Sequence, residues 1–295
     1  MLVGAVVATA CSVAGAATEP VKVHVGLRAE FAVAAAGSLW TTDSVEDRVI
    51  RVDPETNRVV ARIRTRGHSP LGITFGAGSI WVGNRNSGTV TRIAPKTNKA
   101  RKPIRVGSGP YALAFGAGSV WVSNEASGTV SRINPKRNKV IKTIRVRGGP
   151  NGLVVALGSL WVADFAGGRV LRVNPATNRV TGRVALEHAD WITPVGDALW
   201  VSSETNRVYR LDPATLTFTT SVAVGANPLA SALIGDRLWV PNLDSNTVSV
   251  VDPASSAVER TVGVGTTPIA VAAAAGDAWV TSAADGDVWR LASGG

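Results

Sequence analysis

Imidazoles are scarce in this chain of 295 residues: His24, His68 and His188 are the only three. Any general base of that type must be one of them. His188 has the most suggestive setting, because Glu187-His188-Ala189-Asp190 puts a carboxylate on each side of it. Such carboxylates can orient an imidazole or complete a metal site, or they can simply solvate a loop. His24 falls in the alternating run Val21-Lys22-Val23-His24-Val25 and reads as a strand residue with a structural role. The single cysteine, Cys11, excludes an intramolecular disulfide framework and a zinc site built on clustered thiolates. No G-x-S-x-G elbow is present, and the recurrent Gly-x-Gly of GAGS has strand-like residues after it instead of a helix. Neither a serine nucleophile nor a phosphate-cradling loop is supported.

The elements that must position these groups are set by a repeat. Trp40, Trp81, Trp121, Trp161, Trp200, Trp239 and Trp279 are 41, 40, 40, 39, 39 and 40 residues apart. These seven account for most of the 9 Trp, which outnumber Phe and Tyr together. In the unit spanning residues 70 to 107, runs of four to eight apolar or alternating residues are separated by Gly and Pro turns, with Ala100 to Val106 expected as the fourth strand. The turns APKTN, NPKRN, NPATN, DPATL, DPASS and DPETN recur between the third and fourth runs. Strand and turn chemistry of this kind, with no sustained helical period, predicts four strands per unit of about forty residues, the spacing of a propeller blade. The last unit stops after a third strand, and Val21 to Val25 has the pattern to supply the fourth. The expectation is an all-β fold: a seven-bladed β-propeller of four-stranded antiparallel blades over residues 20–295, closed by an N-terminal strand that completes the last blade.

The segments WVGN, WVSN, WVAD, WVSS, WVPN and WVTS, together with the NPxTN turns, resemble the YVTN-type propeller repeats. The likeness extends to the wider group that contains the streptogramin B (virginiamycin B) lyases, and it covers nearly the whole chain from about residue 21. For a lyase of that group the resemblance implies a His and Glu set with magnesium at the propeller funnel, contributed largely by late blades. Here the units of Trp239 and Trp279 contain no histidine.

Counting back from each Trp assigns the inner strand. Nine residues before stand Phe31, Gly72, Ala112, Gly152, Trp191, Ala230 and Ala270, mostly small, as a crowded axis requires. Phe31 and Trp191 break that rule and are expected to plug the channel or form an aromatic wall. Ten residues before each Trp, Glu30, Leu71, Tyr111, Asn151, Asp190, Leu229 and Ile269 form a mixed rim at one mouth. Function in a repeat protein is expected where the pattern breaks, so Glu30, His68, Tyr111, Asn151, His188, Asp190 and Trp191 are the candidate ligand-binding residues, with no catalytic or metal residue assigned. The residues after each WV-x, such as Asp43, Asn84, Asn124 and Asp164, read instead as caps of their own turns.

Charge is unevenly spread. Residues 48 to 183 carry 24 Lys and Arg against 4 Asp and Glu, within a net +10 for the whole chain. Much of it lies in outer strands and turns, where it guards sheet edges or attracts an anionic envelope polymer or lipid headgroups. No aromatic stacking pattern accompanies it, so nucleic acid is not expected. The run Leu2 to Ala10 is too short to span a membrane and reads as the apolar part of an export signal; since no Lys or Arg precedes it, the reading also expects a start upstream of Met1. Ala8-Thr9-Ala10-Cys11 resembles a lipobox, making Cys11 the lipidation candidate and residues 1–19 a signal and linker, while Ala14-Gly15-Ala16 offers an ordinary cleavage site. The sequence thus leads to an exported, monomeric, non-enzymatic propeller of the cell envelope or exterior, binding a protein, peptide or anionic envelope polymer. A metal-assisted lyase or hydrolase at the axial mouth, with a divalent cation such as Mg, is the alternative.

Overall fold

A computed structural model describes residues 19–294 of the chain. Residues 1–18 of the expected signal and linker, Cys11 among them, lie outside the described residues. Seven antiparallel sheets follow one another around a ring. Blade 3 is representative, with Pro110–Gly116 innermost, then Ser119–Asn124, Thr129–Asn134 and Lys139–Arg145 at the outer wall. In blade 2 the outer strand is interrupted, as Lys99–Ala100 and Ile104–Arg105, where Ala100 to Val106 was expected to be continuous. Pro103 lies in the gap, and proline has no N–H to give to the ladder.

Closure follows the sequence expectation. Val21–His24 pairs antiparallel with Asp287–Leu291, so the two ends of the chain share blade 7. His24 Nδ1 lies 2.8 Å from Asp287 Oδ1, across the pair that joins them. An edge strand from one end of the chain therefore covers the unpaired edge left at the other.

Each repeated tryptophan is fully buried and faces the following blade. Trp121 packs on Leu153, Leu160 and Val162 of blade 4, and Trp279 on Val25, Leu39 and Ile50, which seals blade 7 to blade 1. In five blades the indole Nε1 donates to the carbonyl five residues back, as in Trp81 to Gly76 at 2.9 Å. That bond satisfies the one polar atom the ring carries into the core.

A second repeated device is invisible in the tryptophan spacing. Arg51, Arg92, Arg132, Arg172 and Arg290 stand directly across the sheet from Trp40, Trp81, Trp121, Trp161 and Trp279. Their guanidinium groups lie 4.7 to 6.0 Å from the indole centroids. Each also donates to the proline carbonyl of the next blade's turn, for example Arg92 to Pro135 at 2.8 Å and Arg290 to Pro54 at 2.8 Å. The planar fork stacks on one blade while hydrogen-bonding the next, which an ammonium could not do as well. This explains why the NPxTN turn recurs: its carbonyl, and often its Asn, receive the neighbour's arginine.

Candidate functional site at the axial mouth

The inner strand of most blades carries a register shift near its start, as between Pro110 and Leu113 or between Pro150 and Leu153. Strict alternation would send the residues ten and nine before each Trp to opposite sides, but the bulge re-aims them. As a result Tyr111, from the rim series, meets Phe31, from the axial series. Their rings are edge to face at 5.7 Å, and Phe31 in turn stacks on Trp191 at 5.3 Å. Three aromatics from blades 1, 3 and 5 thus converge on the axis and plug it. Beyond Trp191 the passage widens to a cavity of about 410 Å³ lined by Val33, Thr74, Ala114, Val154 and Thr193, the axial residues seven before each Trp, together with Leu233.

Local backbone demands explain how the plug fits. A side chain at Gly152 would put its Cβ 2.5 Å from the Asp190 carbonyl oxygen and 2.8 Å from the Trp191 Cα. Glycine there lets the inner strand of blade 5 approach closely enough to seat Trp191. Ser123 Oγ donates to the Asn151 carbonyl at 2.6 Å and fixes the start of the next inner strand.

On the mouth side of the plug, Asn151 and Asp190 form a buried pair, Nδ2 donating to the carboxylate at 3.3 Å. Asn151 Oδ1 has no hydrogen-bond partner among the described residues. Burial, reinforced by the neighbouring Glu204 and Glu125 charges and opposed by the Asn151 bond, pushes the Asp190 carboxyl up to about 7. Burial likewise pushes the Tyr111 phenol well up, with the Asp190 charge acting in the same direction and Arg85 against it. Arg85 lies 5.5 Å from the Tyr111 ring centroid and pairs with Glu125. Glu30 is also buried, but its carboxylate is occupied within its own blade, accepting from Arg28 Nε at 2.8 Å and Ser44 Oγ at 2.7 Å.

The structure brings Glu30, Tyr111, Asn151, Asp190 and Trp191 to one mouth. His68 and His188 stand farther out and are exposed. His68 Nδ1 is 2.8 Å from Asp47 Oδ2. The carboxylates flanking His188 do not orient it: its Nδ1 is nearest Glu204 Oε2 at 3.7 Å, and its ring packs on Phe165 at 5.2 Å, while Asp190 turns inward to Asn151. His188 stands in the turn before the strand Ala189–Val195, with a left-handed backbone (φ 51°) that aims its ring away from its sequence neighbours, which is why adjacency in sequence misleads there. Among the described residues no three His, Cys, Asp or Glu side chains converge in a way that could hold a metal ion. The donor set does not fit the magnesium site implied by the lyase resemblance. Arg28, Ser44 and Arg85 escaped the sequence reading, because they reach the mouth from the loops beside the inner strands.

No protein-family model matches the chain, and no curated protein matches it by sequence. Solved structures do match by fold. Hydrazine synthase of Kuenenia stuttgartiensis superposes with a TM-score of 0.81 at 14% identity, over 90% of this chain and 96% of that one. A streptogramin B lyase gives 0.81 at 14% identity, over 92% and 96%. A catalytically inactive virginiamycin B lyase of Staphylococcus aureus, solved with quinupristin, gives 0.81 at 14% identity, over 93% and 99%. The chain therefore shares the seven-bladed, streptogramin B lyase-like propeller fold, which hosts unrelated activities.

Proposed function

We propose that the protein is an exported, non-enzymatic propeller that recognises a protein or peptide at its loop-rich mouth, with an anionic envelope component as a second kind of partner at its basic side. The observation that carries the mouth reading is the Asn151–Asp190 pair. Both residues are over nine-tenths buried, yet among the described residues Asn151 Oδ1 accepts from no donor. A buried acceptor left without a donor costs about 1–3 kcal/mol, which a ligand N–H or ammonium would recover. The aromatic plug behind the pair supports binding over passage through the axis.

The test is capture from native envelope extract by wild type and by the D190N and E30Q/Y111A/D190N variants, with the captured species identified and its binding repeated with a synthetic peptide. Loss of the same species in both variants is the expected result; equal capture by all three sinks the reading. Export is supported by the Leu2 to Ala10 run, and lipidation by the lipobox-like Ala8 to Cys11. Mass spectrometry of the native N-terminus checks both, with a lipidated Cys11 as the expected first residue.

One observation favours the alternative of lyase or hydrolase chemistry. A carboxyl held at about 7 in a mouth of lyase-like fold is suited to general acid–base work. Incubation with a streptogramin B substrate and magnesium separates the two: the binding reading predicts no turnover, and turnover abolished in D190N overturns it.

A further inference from the structure

We infer that the outer wall of blades 1 to 4 is a binding track for a linear, phosphate-bearing polyanion, with its more enclosed seat in the cleft between blades 3 and 4. That cleft encloses about 490 Å³ and is lined by Arg145, Arg147, Arg169 and Arg183 above a floor of Val146, Leu171 and Val180. Arg169 is neutralised by Asp164 at 2.8 Å and anchored to the Val146 carbonyl at 2.9 Å. The other three have no carboxylate within ion-pair distance among the described residues. Gathering three uncompensated guanidinium groups around one cleft is unfavourable without an anion to share.

The cleft continues in a row. Arg64, Arg105 and Arg145 each pair with the first residue of the third strand of their blade, so they stand at the same height on three consecutive blades. At the same height blades 4, 5 and 6 carry Ala185, Ala223 and Gly263. The fold therefore does not need arginine there, and protection of sheet edges would call for charge on every blade. A second cleft, between blades 1 and 2, is lined by Arg62, Arg64, Arg66 and Lys99. A single anion would fill one cleft, whereas charge at one height across three blades suits a chain of them. Arginine throughout the row favours phosphate, whose oxygens match the guanidinium fork, over a carboxylated glycan. The outer strands of these blades contain no aromatic residue on which bases could stack.

The inference rests on the anionic partner proposed for the basic side, narrows it to a phosphate-bearing chain, and holds whether or not the mouth is occupied. The experiment is titration of the full-length protein with long-chain inorganic polyphosphate, pyrophosphate, polygalacturonate and duplex DNA at two salt concentrations. The proteins are wild type, R64Q/R105Q/R145Q, R145Q/R147Q/R183Q, D190N and a charge-matched control, R58Q/K136Q/R137Q. Expected are salt-sensitive binding of long polyphosphate, at least tenfold weaker pyrophosphate, a tenfold or greater loss in both row variants, and near-wild-type binding by D190N and the control. An equal loss in the control, no loss in the row variants, or tighter binding of polygalacturonate or DNA overturns it. Single R105Q and R145Q variants, checked for an unchanged melting temperature, keep the test decisive if a triple variant fails to fold.

Discussion

Asp190 shows how one residue at a pattern break acquires chemistry. Its folded pKa is about 7, above the ordinary carboxylate value, because burial disfavours the anion. The folded state therefore holds its proton more tightly than the unfolded chain does. The associated stability is fully present below about pH 4 and is lost as pH rises through about 7. Replacing Asp190 with Asn removes the cost of the buried charge while keeping an acceptor for Asn151. Thermal melts should show D190N more stable than wild type at pH 8, by up to ~4 kcal/mol, with the gap closing toward pH 4. A gap independent of pH would mean that the carboxyl does not titrate in the folded mouth. The same mouth shows the limit of reading from spacing: Glu30 and Asp190 occupy equivalent repeat positions, yet one is held by Arg28 and Ser44 and the other has only Asn151.

At the scale of elements, stability resides between blades as much as within them. Trp161 to Ala should cost about 3–5 kcal/mol, since it empties a fully enclosed site between two sheets. Arg92 to Gln should cost less, about 1–3 kcal/mol, through loss of the indole stacking and of the bond to the Pro135 carbonyl. Denaturant titration separates the two, and an Arg92 variant that melts like wild type would show the staple to be decorative. Gly152 to Ala tests the plug directly. Its Cβ meets backbone atoms of blade 5, so the inner strand must shift, costing ~1–3 kcal/mol and altering the environment of Trp191. A fluorescence spectrum unchanged from wild type would argue that the strand is not held as described.

The whole molecule depends on a closed ring. Val23 is buried in the last blade through its pairing with Val288, so Val23 to Asp should open the ring and broaden the melt, at a cost of about 3 kcal/mol or more. A sharp transition near the wild-type temperature would show that closure adds little. The charge imbalance is also a property of the whole chain. Some arginines counted in the basic half, namely Arg51, Arg92, Arg132 and Arg172, bind blade to blade and are only partly accessible. The charge free to meet a partner lies in the outer strands and in the turns and loops beside them.

The repeat was legible from the chain because a single residue type, tryptophan, recurs wherever two sheets meet, and turns recur wherever strands reverse. Local spacing was enough to determine seven blades, four strands in each and closure by the first strand, since hydrophobic burial and turn chemistry act over short stretches. The candidate site was legible only as a set of deviations: Glu30, Phe31, Tyr111, Asn151, Asp190 and Trp191 stand where other blades carry small or apolar residues. Tertiary structure alone decided which of them touch. A bulge that no spacing reveals brings Tyr111 to Phe31, which itself stacks on Trp191, and His188 turns to Glu204 instead of its sequence neighbours. Side chains from blades separated by eighty residues and more meet only at the axis, and their energies depend on that meeting, on burial and on which partner each has already found.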